Sequence, residues 1–132
     1  MNNLFPIVPT FGELKAAIWD ILKDRVGINK AITRSNILEK LWWRFGEDTV
    51  HERRVRQAIK SLVEDDLKKI AASTAPPYGY FIPETVEEMT HYINARKSRI
   101  RSEARFLRVF EQVTGDRILE LLGQGVLTEG EL

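Results

Sequence analysis

The chain has no cysteine in its 132 residues, which excludes disulfides and thiolate metal sites. It also has no apolar run of about 18 residues, the length that a membrane-spanning helix needs. The first ten residues, MNNLFPIVPT, lack both the basic start and the long apolar stretch of a secretory leader. The expectation is a cytoplasmic protein without membrane contact. An excess of one charge sign is missing too. The net charge is +1 and the isoelectric point about 8.0, short of the strongly basic balance of many nucleic-acid-binding domains. Any case for nucleic acid must therefore come from where the charges sit. Signals for catalysis are poor. His51 and His91 are the only histidines, and neither has a metal-type spacing to a second ligand. No Gly-rich phosphate loop or nucleophile elbow occurs. The adjacent Asp65 and Asp66 read as a solvated turn at a helix end. A protein that is not an enzyme, with no metal and no cofactor, is expected.

What is present is an ordinary globular composition, 43% hydrophobic and 30% charged, on a chain long enough for one domain with an appendage. Leu14, Ala17, Ile18, Ile21 and Leu22 recur at helical spacing and predict a first helix over residues 11–23. Pro6 and Pro9 keep it from extending backwards and leave an extended arm. The NKAIT segment reads as a short edge strand. Thr33 suits the N-cap of a second helix whose inward face carries Ile37, Leu38, Leu41, Trp42 and Phe45. Gly46, Glu47 and Asp48 then form a three-residue turn of the helix-turn-helix kind. Thr49 and Glu52 make a T-x-x-E capping box for a third helix, with Asp48 as the alternative cap. Val55, Ala58, Ile59, Leu62 and Val63 form its inward stripe, and it should stop near Asp65.

Two strands follow. DLKKIAAS centres on Ile70, and YGYFIP alternates so that Tyr78, Tyr80 and Ile82 share one side; TAPP breaks the pairing between them. Glu84, Glu87 and Glu88 then suit the first turn of a helix. Neither glycine nor proline occurs from Glu84 to Thr114, which would allow a helix of roughly 45 Å at about 1.5 Å per residue. Val86, Ile93, Ile100 and Leu107 recur every seven residues, with Met89 and Phe110 at matching positions. Arg96 and Glu103 interrupt this seam. Gly115 should end the helix, with DRILELL as one more short helix before an acidic tail. The predicted organisation is residues 1–83, then 84–114 as a long basic helix and possible dimerisation element, then 115–132. The fold class is mainly α with a small β-hairpin, a winged helix-turn-helix followed by a long C-terminal helix.

The basic face of the third helix carries the functional signal. His51, Arg53, Arg54, Arg56, Gln57 and Lys60 are the candidates for DNA contact. At about 100° per residue, Arg53, Gln57 and Lys60 point away from the apolar stripe, and Arg54 and Arg56 lie on its flanks. Arg53 and Gln57 are placed to read base edges; Arg54, Arg56 and Lys60 suit phosphates. The plain alternative is a solvated helix face. The hairpin adds Lys68, Lys69, Ser73, Thr74 and Tyr78 as possible backbone contacts, or simply as solubilising groups. Further on, ARKSRIRSEARFLR sets Arg96, Lys97, Arg99, Arg101, Arg105 and Arg108 against Glu103 alone, a local charge of +5. This is either a second basic surface for nucleic acid or an acidic protein, or the exterior of a coiled coil. Trp42 belongs to the core stripe, whereas Trp43 faces elsewhere.

The segment ITRSNILEKL…RRVRQAIKSLVEDDLKKIAAS…YGYFI resembles winged helix-turn-helix domains of the biotin-repressor type and small winged-helix proteins of phages and bacteria. RRVRQAIKSL falls where that family has its recognition helix, and GYFI where its second wing strand ends. The resemblance covers residues 31–82. It departs from the family in the longer WWRFGED stretch before the third helix, and it implies no ligase or effector-binding activity. It implies a third helix in the major groove of double-stranded DNA, with the wing on the backbone. The expected role is regulation of transcription or of phage or plasmid replication, as a homodimer through Val86, Met89, Ile93, Ile100, Leu107 and Phe110. The alternative is a winged-helix adaptor that binds another protein, a polymerase or a replication factor, through the basic C-terminal helix.

Overall fold

The computed structural model describes residues 6–123. In chain order these form α1 (Phe11–Leu22), a 3₁₀ turn (Ile28–Lys30), α2 (Arg34–Phe45), α3 (Glu52–Glu64), β1 (Ala71–Ser73), β2 (Gly79–Phe81) and α4 (Val86–Gly123). The chain is mainly helical, with a small antiparallel hairpin and a long C-terminal helix, as expected. It divides into two compact units, one ending at Tyr92 and the other beginning at Ile93.

In the first unit, local signals start each helix. The Thr10 hydroxyl accepts from the Glu13 N–H at 3.2 Å, and the Glu13 carboxylate accepts from the Thr10 N–H at 3.1 Å. This reciprocal box starts α1. Its hydrogen bonds, the one from the Thr10 backbone first, hold the Glu13 carboxyl below the usual carboxylate range. The Thr33 hydroxyl caps α2 through the Asn36 N–H, as expected. Three apolar stripes then meet: Leu14, Ala17, Ile18 and Leu22 from α1; Ile37, Leu38, Leu41 and Phe45 from α2; Val55, Ala58, Ile59 and Leu62 from α3. Full burial of such a Leu, Ile, Val or Phe side chain stabilises by about 1.5–3 kcal/mol. Val63, expected on the inward stripe, is 37% exposed, because it lies beyond the edge of the arc that the core covers. Pro9 is fully buried, and the Ile7 N–H bonds to the Phe45 carbonyl at 2.8 Å, so the N-terminal arm packs on the end of α2.

The hairpin pairs Ala71 with Phe81, Ala72 with Tyr80 and Ser73 with Gly79. Ile70, expected at the centre of the first strand, is buried just before it. The other edge of β2 is covered as well. Ile32 and Tyr80 exchange both backbone hydrogen bonds, at 2.9 and 2.8 Å, the Gly27 N–H donates to Ile82, and the Ile82 N–H donates to Arg25. The edge strand expected at NKAIT is thus a 3₁₀ turn followed by a single-residue bridge. Tyr80 and Ile82 lie against the core as their alternation predicts, but Tyr78 is exposed, and Phe81 on the opposite side is buried. Gly79 makes this arrangement possible: its φ is 123°, and a Cβ there would collide with the Ile32 carbonyl.

The N-terminal turn of α4 belongs to the first unit. The Thr85 hydroxyl accepts from the Glu88 N–H, while the Glu88 carboxylate accepts from Glu84 and from Ile28. The helix expected to end at Gly115 continues to Gly123, so residues 116–122 form no separate helix. One glycine weakens a helix by about 1 kcal/mol relative to alanine, and with no proline nearby it does not break one. The acidic tail beyond Gly123 lies outside the described residues. Among the described residues no helix is long and apolar enough to cross a membrane.

Candidate nucleic-acid interface

The turn before α3 sets how that helix is presented, and it differs from the expected three residues. It runs over residues 46–51, with Gly46 at φ 118° and Asp48 at φ 61°. The Thr49 hydroxyl donates to the Gly46 carbonyl at 2.7 Å and is therefore committed to the turn; it does not cap α3. His51 occupies the N-cap without a side-chain bond, and Glu52 is the first residue of the helix. Glu52 instead faces Arg34, the first residue of α2, with Nε to Oε1 at 3.9 Å. The Trp42 indole N–H donates to the Val50 carbonyl at 2.9 Å, tying α2 to the start of α3. The carboxylates at the other end of α3 are also engaged. Asp66 pairs with Lys15 of α1 at 2.8 Å, and Asp65 accepts from the Ser61 hydroxyl at 2.7 Å, so the expected solvated turn is an anchored one.

With both ends held and Val55, Ala58, Ile59 and Leu62 buried, the opposite side of α3 faces water. Arg53, Arg56, Gln57 and Lys60 are all exposed along it, and exposed His51 stands at its start. Arg54 is half-buried on the flank, as its 100° offset from Arg53 requires. Arg53, Arg54, Arg56 and Lys60 make no ion pair with any described residue. The result is a short row of cations and one amide open to solvent.

The hairpin residues separate into two groups. Lys68 points to α1, its Nζ 4.8 Å from the centre of the Trp19 ring, and is half-buried. The Ser73 hydroxyl donates to the Ala75 carbonyl at 2.6 Å and accepts from the Ala75 N–H, so it is used up in the loop. Lys69, Thr74 and Tyr78 are exposed. In the second unit Arg96, Lys97, Arg99, Arg101, Arg105 and Arg108 are all exposed. Trp43 is exposed as expected. It lines a shallow concavity of about 360 Å³ together with Arg25, Asn36 and Lys40. Sequence reasoning missed Arg25 and Lys40, although the spacing of Asn36, Glu39, Lys40 and Trp43 marks a single face of α2.

Comparison with protein-family models, with curated proteins and with solved structures gives no match to this chain.

Proposed function

We propose that this chain is a winged helix-turn-helix protein that binds double-stranded DNA through the exposed face of α3. The observation that carries the reading is the row Arg53, Arg56, Gln57 and Lys60, open to solvent and without acidic partners among the described residues. Arginine pairs with guanine edges or phosphates, glutamine with adenine edges, and lysine with phosphates. The hairpin supports the reading by presenting Lys69, Thr74 and Tyr78 as further backbone contacts. The protein acts in the cytoplasm as a regulator of transcription or of phage or plasmid replication.

Fluorescence anisotropy with duplex DNA at two salt concentrations tests this. Binding is expected at low salt, with steep weakening as salt rises, because phosphate contacts release counterions. The double substitution Arg53→Ala and Arg56→Ala should abolish binding while leaving the circular dichroism unchanged, since both side chains are exposed. Absence of binding at low salt would refute the reading.

A further inference from the structure

The second unit leaves apolar side chains in water along one side of α4. Ile93, Ile100, Leu107 and Phe110 are 50, 61, 54 and 56% exposed. They fall on the a and d positions of a heptad whose remaining members over residues 93–117 are Arg96, Glu103, Thr114 and Arg117. Phe106 and Val113 adjoin the seam and are also exposed. An apolar border of this length, interrupted at Arg96 and Glu103 but carried alongside by Phe106 and Val113, calls for a covering surface.

We propose that a second copy of this chain covers this face, with the two helices antiparallel. The polar members of the seam determine the direction. A parallel, in-register pair sets every seam residue against itself, which stacks Arg96 on Arg96 and Glu103 on Glu103, while Arg117 is paired with Glu120 of its own helix at 2.8 Å and adds little. Like charges facing one another in the seam disfavour that arrangement. An antiparallel pair sets a positions against d positions instead. Ile100 then meets Phe110 of the second copy, Leu107 meets its Glu103, Arg96 meets its Thr114, and Ile93 meets its Arg117. No layer opposes like charges. The flanks agree with this register: Lys97 faces Glu111 of the second copy, and the small Ala104 meets its own equivalent at the two-fold axis, as an isologous interface requires. Phe106 and Phe110 of one chain already stack, with ring centres 6.2 Å apart and 14° between planes, and form one aromatic edge of the seam. Arg101, Arg105 and Arg108 fall on outward positions and stay in water. The pairing stands on α4 alone and does not depend on DNA binding.

The absence of cysteine makes single-cysteine variants of the full chain clean reporters. With a short bis-maleimide at micromolar protein, Ala104→Cys is expected to form a covalent dimer, and Ile93→Cys is expected not to join to itself. A self-linked Ile93→Cys dimer would overturn the antiparallel direction. Failure of Ala104→Cys to cross-link would overturn the pairing, whatever mass light scattering gives. Lys97→Glu and Glu111→Lys should each weaken association by up to about fivefold, the range of an exposed ion pair, and the double swap should restore it. No restoration would overturn the register.

Discussion

The Glu88 carboxylate accepts a hydrogen bond at 2.9 Å from the backbone N–H of Ile28, a residue 60 positions earlier in the chain. Its other oxygen accepts from the Glu84 N–H at 2.8 Å. One side chain on the first turn of α4 thereby satisfies two backbone donors, and joins the start of that helix to the 3₁₀ turn between α1 and α2. The Glu84 bond, followed by the Ile28 bond, holds the Glu88 carboxyl below the usual carboxylate range.

That depression has a definite sign in stability. A carboxyl whose pKa is lower in the folded state stabilises the fold above the ordinary carboxylate range and loses that contribution as pH falls through the depressed value. Glu88→Gln should therefore lower the urea midpoint near pH 7, and its gap from the unsubstituted chain should narrow by about pH 3. An equal gap at both pH values would show that the charge on Glu88 has no part in the effect.

Gly79→Ala should be strongly destabilising. The new Cβ would meet the backbone carbonyl of Ile32, which cannot move without breaking the Ile32–Tyr80 bond pair. The left-handed φ of 123° adds strain. A loss of about 2 kcal/mol or more in denaturant unfolding is expected. Proteolysis within the segment between α1 and α2 should accelerate in the same variant, because its tie to β2 is the one removed.

Leu67 offers the opposite case. It is 81% exposed, so its side chain contributes little burial, yet its backbone sits at φ 57° where the chain leaves α3. Left-handed backbone costs a branched residue about 1–2 kcal/mol, and glycine avoids this while adding about 0.4–1 kcal/mol of unfolded-state entropy. Leu67→Gly is expected to raise stability by about 0.5 kcal/mol and Tm by a few degrees. A clear fall in Tm would mean that the exposed leucine has a contact worth more than the strain.

Lys68 and Lys69 are neighbours in sequence with different surroundings. Lys68 lies over the Trp19 ring, and Lys69 is exposed. Lys68→Ala should lower stability by about 0.5–1 kcal/mol, the size of a solvent-accessible cation–π contact, with no change in the salt dependence of DNA binding. Lys69→Ala should do the reverse, and reduce the salt slope by about one contact. Anisotropy titrations of the two variants at several salt concentrations separate these outcomes.

Much of the first unit was legible from spacing alone. The three apolar stripes and the outward direction of Arg53, Gln57 and Lys60 follow from the 3.6-residue period, and the Thr33 cap and the Gly46 stop from the local chemistry of those two residues. The misreadings arose where a short motif had two possible partners. Among the described residues T-x-x-E occurs at Thr10, Thr49 and Thr85, and only the first makes a full capping box: the Thr49 hydroxyl is held by the Gly46 carbonyl, and the Glu88 carboxylate accepts from Glu84 instead of Thr85. Its place in the hairpin makes Lys68 a possible backbone contact or a solubilising group, but Trp19, which claims it, is 49 residues away in sequence. Gly115 signals a stop in the sequence, yet a lone glycine inside an otherwise favourable helix is tolerated and α4 runs through it.

By itself the sequence determined the helical stripes, the placement of the hairpin after the third helix, and the basic row on its outer side, since each depends on residues within a few turns of one another. Only the tertiary structure decided which polar groups remain available. It committed Thr49, Ser73, Asp66 and Lys68 to contacts inside the first unit, left Arg53, Arg56, Gln57 and Lys60 in water, and anchored the 3₁₀ turn to Glu88. Those outcomes depend on which distant atom reaches a donor or acceptor first, and local periodicity does not encode that choice.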